Sequence, residues 1–153
     1  RRPPYVYKRQ LAYVPLFGWL IWKAKQIPVD RGRKGEALAS ITVGAKRAAA
    51  IGRQVMIFPE GTRRAVDAPP DYKFGVTHLY RSLGLPCQPV ALNSGMFWSR
   101  KSMTRRPGTV LVEFLDPIPP GLPPAEFSAR LEAGIEEATN RLIAESRARG
   151  EGE

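Results

Sequence analysis

The run Phe58-Pro59-Glu60-Gly61-Thr62-Arg63-Arg64 holds the side chains of this sequence that are best suited to chemistry. It follows Gln54–Phe58, whose nearly continuous apolar character predicts a strand buried on both faces of a sheet. Ligands of open α/β sheets bind just beyond the carboxyl ends of strands. Gly61 permits close approach to the backbone, and Thr62 offers a hydroxyl. These residue types predict a polar loop at a sheet edge, either a phosphate-binding loop or a plain polar turn.

Charged side chains decide which ligands this loop could take. Arg63 and Arg64 offer planar, permanently charged forks that match phosphate oxygens. Glu60 could orient one of these arginines or accept a substrate hydroxyl. The formal net charge is +10; residues 123–153 hold 4 basic and 7 acidic side chains, which leaves +13 on residues 1–122. A basic body of this kind favours nucleic acid, anionic lipid head groups or a phosphorylated small molecule.

The loop must be positioned by strands and helices, and the sequence alternates between the two patterns. Helices are predicted over Lys34–Ile51, Phe74–Leu83 and about Pro124–Arg147, where apolar residues recur every three or four positions. Short strands are predicted over five apolar or β-branched runs: Tyr5–Lys8, Gln26–Val29, Gln54–Phe58, Gln88–Leu92 and Thr109–Leu115. The alternation indicates an α/β sandwich with a mixed, partly parallel central sheet flanked by helices.

Other residue patterns bear on metals, membranes and redox chemistry. Asp67 and Asp71 lack metal-ligand spacing, so no metal is predicted. The apolar stretch Tyr13–Trp22 is shorter than the roughly 20 residues of a membrane span. It predicts a buried helix or an interfacial segment, because tryptophan favours the head-group boundary. Cys87 has apolar neighbours and is predicted to be a buried structural thiol.

Phe58–Arg63 resembles the F-P-E-G-T-[RS] block of the glycerol-phosphate and lysophosphatidic acid acyltransferases. Further blocks agree with that family in order and spacing: Lys8–Leu11 with Pro15–Trp19, Ile27–Arg31, Tyr72–Gly75 and Gln88–Gly95. The resemblance covers roughly residues 5–120. Several ordered blocks are far more specific than one short motif, and they imply a glycerol-3-phosphate acyltransferase-like fold.

The resemblance implies a transferase of phospholipid biosynthesis. Such an enzyme moves an acyl group from acyl-CoA or acyl carrier protein to the free hydroxyl of 1-acylglycerol 3-phosphate, and the product is phosphatidic acid. The implied partners are this anionic lysophospholipid, the thioester co-substrate and a membrane surface at the cytoplasmic face, with no nucleic acid and no cofactor. Arg31 and Arg63 would bind the acceptor phosphate. Glu60 would position the acceptor or Arg63. Gly61 and Thr62 would shape the loop.

The chemistry of the family rests on an H-x-x-x-x-D block, in which the histidine acts as general base on the acceptor hydroxyl. The sequence has one histidine, His78, and Leu83 stands five residues further on, so the block is absent. His78 is expected to be a structural or surface residue of a helix. The abrupt start at Arg1 favours a fragment that lacks the upstream His/Asp block; a degenerate, non-catalytic homologue is the alternative. We assign no catalytic residue to this chain and expect no normal turnover from it.

The expected organisation follows from these blocks. Residues 1–122 are predicted to form the acyltransferase core without its His/Asp block. Residues 123–148 are predicted to form an amphipathic helix packed on that core, and residues 149–153 a disordered tail. A non-catalytic lipid- or membrane-binding homologue and a basic nucleic-acid-binding module stay open as other functions. The second is disfavoured because the sequence has no groove-reading or base-stacking motif.

Overall fold

In the computed structural model of the chain, the described residues are Val6–Lys8, Lys23, Ile27–Val29 and residues 34–98 and 104–152. The chain divides into two units, Arg1–Phe58 and Pro59–Glu153. We describe each unit by itself.

The described residues of the first unit include a parallel strand pair and a long helix. Strand β1, Val6–Lys8, pairs with β2, Ile27–Val29, in a parallel register that sets the first residue of one strand opposite the first of the other. Helix α1, Lys34–Ala50, lies against β2. The helix is followed by Gly52, whose φ of 68° lies in the left-handed region that favours glycine. The predicted helix and its stop at Gly52 are therefore confirmed.

The apolar run Gln54–Phe58 is not the buried strand that its composition predicts. Met56 is a single bridge residue in this run, and the Met56 and Phe58 side chains are 40% and 62% exposed. A strand needs a ladder of hydrogen bonds to a neighbour, and burial on both faces needs a covering layer on each. An apolar composition shows only that a run can be buried. Whether it is buried depends on other parts of the molecule, which must supply the layers that cover it. The prediction of a doubly buried strand here is wrong.

An antiparallel strand pair lies at the centre of the second unit. Strand β3, Val90–Leu92, pairs with β4, Val112–Phe114. A bridge between Cys87 and Ile118 extends the ladder through reciprocal N–H···O bonds of 2.9 and 2.8 Å. Both strands lie inside the runs predicted from the sequence and are shorter than predicted.

One helix of the second unit packs on this strand pair, and the other helix packs on the first. Helix α2, Phe74–Leu83, ends at Gly84, which has a φ of 60° and donates its backbone N–H to Tyr80 O at 3.2 Å. Helix α3, Pro124–Ala148, lies against α2 and β3. The predicted apolar stripe of α3 is buried at Phe127, Leu131, Ala138 and Leu142, and its fifth residue, Ile135, is half-buried. The aromatic ring of Tyr80 stacks on Phe127 with centroids 3.7 Å apart.

A buried asparagine joins α3 to the strand pair. Asn93 is 1% exposed, and its Nδ2 donates to Ser146 Oγ on α3 at 2.7 Å and to Thr109 O at 3.1 Å. Its Oδ1 accepts the backbone N–H of Leu111 at 2.8 Å. All the hydrogen-bonding groups of this amide are therefore directed at partners, as burial of a polar side chain requires.

The end of the chain has specific contacts. Glu151 accepts hydrogen bonds from the Thr109 N–H at 3.2 Å and hydroxyl at 3.1 Å, and Gly152 O accepts one from Arg106 Nη1 at 2.6 Å. The bond from the Thr109 N–H is the main cause that lowers the pKa of Glu151. Residues 149–152 thus differ from the frayed tail that the sequence predicts, because the strand region offers partners to this short polar segment.

The described elements follow the order β1-β2-α1-α2-β3-β4-α3, so strands and helices are mixed along the chain as in an α/β protein but do not strictly alternate. The described strands form two two-stranded sheets, one parallel and one antiparallel, with one in each unit.

Candidate functional site

The loop from Pro59 to Lys73 is closed by two hydrogen bonds between its ends. Lys73 N–H donates to Pro59 O at 2.9 Å. Asp71 N–H donates to the Glu60 carboxylate oxygen Oε1 at 3.1 Å. The two ends of the loop are therefore held together directly before α2. The residues that follow Glu60 thus extend from a fixed position.

Arg64 lies between the two carboxylates at the ends of this loop. Its Nη1 donates to Asp71 Oδ2 at 3.2 Å, and its Nε lies 3.4 Å from Glu60 Oε1. That Nε is buried and has no partner in hydrogen-bond geometry, so its contact with Glu60 is an ion pair only. The ammonium of Lys73 also binds Asp71 Oδ2. This hydrogen bond is the main cause that lowers the pKa of Asp71, and Arg64 adds to it.

Gly61 and Thr62 form the exposed tip of the loop. Gly61 has a φ of 65°, in the left-handed region, and a Cβ added to it would meet no atom within 4 Å. Glycine is favoured here by its backbone conformation and not by lack of space. The Thr62 hydroxyl is carried on an exposed residue, open to solvent.

Arg63 points to a different partner from Arg64. Its guanidinium carbon lies 5.1 Å from the centroid of the Trp98 ring, and that of Arg105 lies 4.5 Å from the same centroid. Both distances are within the range of cation–π attraction. The sequence allowed Glu60 to position either arginine; within the described part of the chain its ion pair is with Arg64. Arg64 is half-buried between its two carboxylate partners, whereas Arg63 remains exposed.

The remaining sequence candidates fall outside this cluster. Arg31 and the stretch Tyr13–Trp22 lie outside the described residues. His78 is a half-buried residue of α2, with its ring centroid 6.1 Å from that of Phe74. Residues 34–98 and 104–152 contain no group of three His, Cys, Asp or Glu side chains able to hold a metal ion. No helix in the described ranges has both the length and the apolar character to cross a bilayer.

Two residues of the cluster were not assigned to the site from the sequence. Asp71 was considered only as a metal ligand, although it directly precedes the Tyr72–Gly75 block. Trp98 belongs to none of the family-like blocks. Position next to a family block was the available signal for Asp71. No sequence signal pairs Trp98 with Arg63, because they lie 35 residues apart in the chain.

Tyr72 links the loop to α3. Its hydroxyl donates to Glu136 Oε1 at 3.0 Å. Burial, and after it this bond to a carboxylate, raise the pKa of Tyr72 well above its ordinary value. A shallow groove of about 660 Å³ runs along α3 beside this contact, lined by Pro70, Ala125, Ser128, Ala129, Glu132, Ala133, Glu136 and Asn140. Its two glutamates make it ill suited to an anionic ligand, which leaves the Arg63 side of the loop as the candidate site.

These features define an α/β protein with a braced loop on which Arg63 is exposed. A family model described as "Acyltransferase" matches residues 1–93, which is more than half of the chain, and the chain belongs to that family.

Named relatives agree with this membership. The chain is 38% identical over 107 residues to a 1-acyl-sn-glycerol-3-phosphate acyltransferase of Pseudomonas aeruginosa, covering 70% of this chain and 42% of that protein. It is 31% identical over 124 residues to the human 1-acyl-sn-glycerol-3-phosphate acyltransferase alpha, covering 80% of this chain and 44% of that protein. The chain therefore spans less than half the length of these relatives.

A solved structure supports the fold. The crystal structure of PlsC, the 1-acyl-sn-glycerophosphate acyltransferase of Thermotoga maritima, matches with a TM-score of 0.76. The match covers 93% of this chain and 57% of that one, at 21% sequence identity. This chain has the fold of that acyltransferase over nearly all its length.

Proposed function

We propose that this chain is part of an enzyme that transfers an acyl group to the free hydroxyl of 1-acylglycerol 3-phosphate, giving phosphatidic acid. The donor would be acyl-CoA or acyl carrier protein. The single observation that carries the proposal is the braced loop, in which Glu60, Arg64 and Asp71 contact one another while Arg63 is left exposed. The names of the relatives support the choice of acceptor.

Arg63 is proposed to bind the acceptor phosphate. The neighbouring Arg64 is occupied by two carboxylates, whereas Arg63 forms no ion pair with a carboxylate among the described residues. A guanidinium can offer two parallel hydrogen bonds to phosphate oxygens, which fixes the orientation of the bound group as well as its position. Arg31, in the second family block, is proposed as its companion. Gly61 and Thr62 would shape the tip of the loop.

The reaction itself requires a base. The acceptor hydroxyl would lose its proton to the base as its oxygen attacks the thioester carbonyl, and the thiol would then leave with a proton. His78 is the one histidine of the sequence, and its ring lies near Phe74 on α2 rather than in the loop cluster. We therefore assign no step of proton transfer to a residue of this chain.

Three finer features belong to the same proposal. The strands described here would contribute to an α/β sandwich with one central, partly parallel sheet flanked by helices. The enzyme would work at a membrane surface, on the cytoplasmic face. The basic character of residues 1–122 supports attraction to an anionic surface, because clustered lysine and arginine favour anionic lipid.

The test is an assay of phosphatidic acid formation by the intact gene product that contains this chain. Arg63→Ala should raise the KM for the lysophosphatidic acid acceptor by about tenfold or more, since a charge-assisted hydrogen bond is lost. The KM for the thioester should change little. Arg81→Ala, which removes an exposed arginine of α2, is the matched control. Formation of phosphatidic acid with an unchanged acceptor KM in Arg63→Ala would overturn the role of Arg63. Acceptor binding without product would point to a non-catalytic lipid-binding protein.

A further inference from the structure

Two arginines from distant parts of the second unit share one aromatic ring. The guanidinium carbons of Arg63 and Arg105 both lie within 5.1 Å of the centroid of the Trp98 ring. The two positive charges are therefore within about 10 Å of each other, each inside the range of the ring's attraction. Among the residues that the structure describes, neither guanidinium is paired with a carboxylate. An anion that lies close to both exposed guanidinium groups is attracted by each of them.

The ring and the second arginine are held in place by the backbone. Trp98 N–H donates to Ser94 O at 3.1 Å, at the end of a short 3-10 turn. Arg106 N–H donates to Phe97 O at 2.9 Å, which holds Arg105 beside Trp98. Phe97 is itself buried against Met96 in the core. Backbone hydrogen bonds therefore hold the segments that carry Trp98 and Arg105, while the Trp98 side chain remains 47% exposed.

The neighbouring arginine is differently occupied. Arg106 directs Nη1 to Gly152 O at 2.6 Å and is not found over the Trp98 ring. Of these two adjacent cations, Arg105 is thus the one directed to the ring that Arg63 also contacts. The pair offers two forks to one ligand, which matches a group with more than one negative charge.

We propose that Arg63, Trp98 and Arg105 form a binding site for a phosphate monoester, in which Arg105 makes the site prefer a monoester to a phosphodiester. A phosphate monoester carries a charge of about −1.5 to −2 at pH 7, whereas a diester carries one negative charge. A single arginine can balance the one negative charge of a diester, and the second arginine stabilises the additional charge of the monoester. In the proposed site, one monoester accepts hydrogen bonds from both guanidinium groups beside the Trp98 ring.

This inference rests on the proposed function for the place of Arg63 in acceptor binding. It adds that the acceptor is selected by the charge of its head group. A lysolipid with a diester head group would be bound more weakly than 1-acylglycerol 3-phosphate.

The test measures binding by isothermal titration calorimetry, with the intact gene product and short-chain ligands below their micelle concentration. The ligands are 1-acylglycerol 3-phosphate, a lysolipid with a choline phosphodiester head group, and glycerol 3-phosphate. Arg105→Gln should weaken the binding of 1-acylglycerol 3-phosphate about tenfold and the binding of the diester lysolipid less than about twofold. Trp98→Leu should have a similar effect, while Trp98→Phe keeps an aromatic face and most of the preference. Circular dichroism confirms that each variant is folded.

Arg130→Gln is the matched control, because it removes an exposed arginine from α3. The proposed site would be overturned if Arg130→Gln lost as much affinity for the monoester as Arg105→Gln. It would also be overturned if Arg105→Gln lost affinity equally for monoester and diester, or lost none. Arg105-dependent binding of glycerol 3-phosphate would support the site and show that the phosphate alone suffices. If it fails to bind while the lysophosphatidate keeps its Arg105 dependence, the site stands and the acyl chain contributes affinity.

The failures of the two proposals can be told apart. If the intact protein makes no phosphatidic acid but its monoester preference depends on Arg105, the binding site stands and the acyl-transfer proposal falls. If phosphatidic acid is made and Arg63→Ala raises the acceptor KM while Arg105→Gln leaves the preference unchanged, the acyl-transfer proposal stands and this inference falls.

Discussion

The carboxylate of Glu60 accepts a hydrogen bond from the backbone N–H of Asp71 at 3.1 Å, although the two residues are eleven positions apart in the sequence. This bond joins the start of the loop to the segment that leads into α2. Arg63 lies between these two fixed points. Glu60 therefore helps to fix the loop segment that carries Arg63, even though the two side chains are not paired.

Loss of the Glu60 carboxylate should destabilise the second unit. In Glu60→Ala the Asp71 N–H loses its acceptor and Arg64 loses one of its carboxylates, which should lower the free energy of unfolding by about 1–2 kcal/mol. Glu60→Gln is the matched control, because its amide oxygen can still accept the Asp71 N–H. Urea denaturation followed by circular dichroism measures both. Equal stability of Glu60→Ala and the unaltered protein would show that the bond has no role in holding the loop.

The contribution of Asp71 to stability should depend on pH. Its pKa is lowered in the folded state, first by the hydrogen bond from Lys73. A lowered folded pKa gives stability that is present above the unfolded value of about 3.9 and is lost as the pH falls through the folded pKa. The stability difference between the unaltered protein and Asp71→Asn should be present at pH 7 and shrink below about pH 4. Urea denaturation at several pH values checks this.

Lys73→Met serves as the companion variant, because it removes the main cause of the lowered pKa. In that background the effect of Asp71→Asn should vary much less with pH. A difference between Asp71 and Asn that is the same from pH 7 to pH 3 would contradict the role of the Lys73 contact.

Two glycines of the second unit should respond to alanine in opposite directions. Gly84 ends α2 with a φ of 60°, so Gly84→Ala should cost about 1 kcal/mol of strain even though the new Cβ meets nothing within 4 Å. Gly134 lies inside α3, where a Cβ would be 3.7 Å from Leu115 Cδ1, an ordinary contact. Gly134→Ala should therefore stabilise by about 0.5–1 kcal/mol. Thermal denaturation of both variants tests the pair, and a stabilising Gly84→Ala would refute the left-handed end of α2.

Cys87 should react slowly with alkylating reagents. Burial raises the pKa of its thiol, which reduces the fraction of reactive thiolate at neutral pH. Its backbone also belongs to the bridge with Ile118. Iodoacetamide labelling followed by mass spectrometry should be slower than for a free cysteine peptide at pH 7, and should recover the peptide's rate in urea. A rate equal to that of the peptide under native conditions would contradict the burial.

Local sequence patterns predicted the helices well. Phe74–Leu83 has the bounds expected from its apolar spacing, and Gly52 and Gly84 mark helix ends through their own backbone preference. These features depend on residues a few positions apart, which the sequence displays directly. The Phe58–Arg63 block likewise located the candidate loop.

Features that depend on distant partners were not predicted. Gln54–Phe58 has the composition of a buried strand, but its exposure depends on what lies over it. The contact between Arg63 and Trp98, and the choice of Arg64 as the partner of Glu60, result from how the loop turns at Gly61 and meets residues far along the chain. Residue types alone left both arginines as equal candidates.

The hydrogen bond between Asn93 and Ser146 has a practical consequence for anyone shortening this chain. Truncation after Leu122, at the boundary that composition suggests, would remove the hydroxyl that Asn93 binds and would uncover Ala91, which is fully buried. A chain tolerates truncation where few contacts join the removed part to the rest. Here a buried hydrogen bond and a layer of apolar contacts both join α3 to the residues before Leu122. Helix α3 is therefore part of the packed core of its unit, and expressed fragments of this chain should include the helix through Ser146.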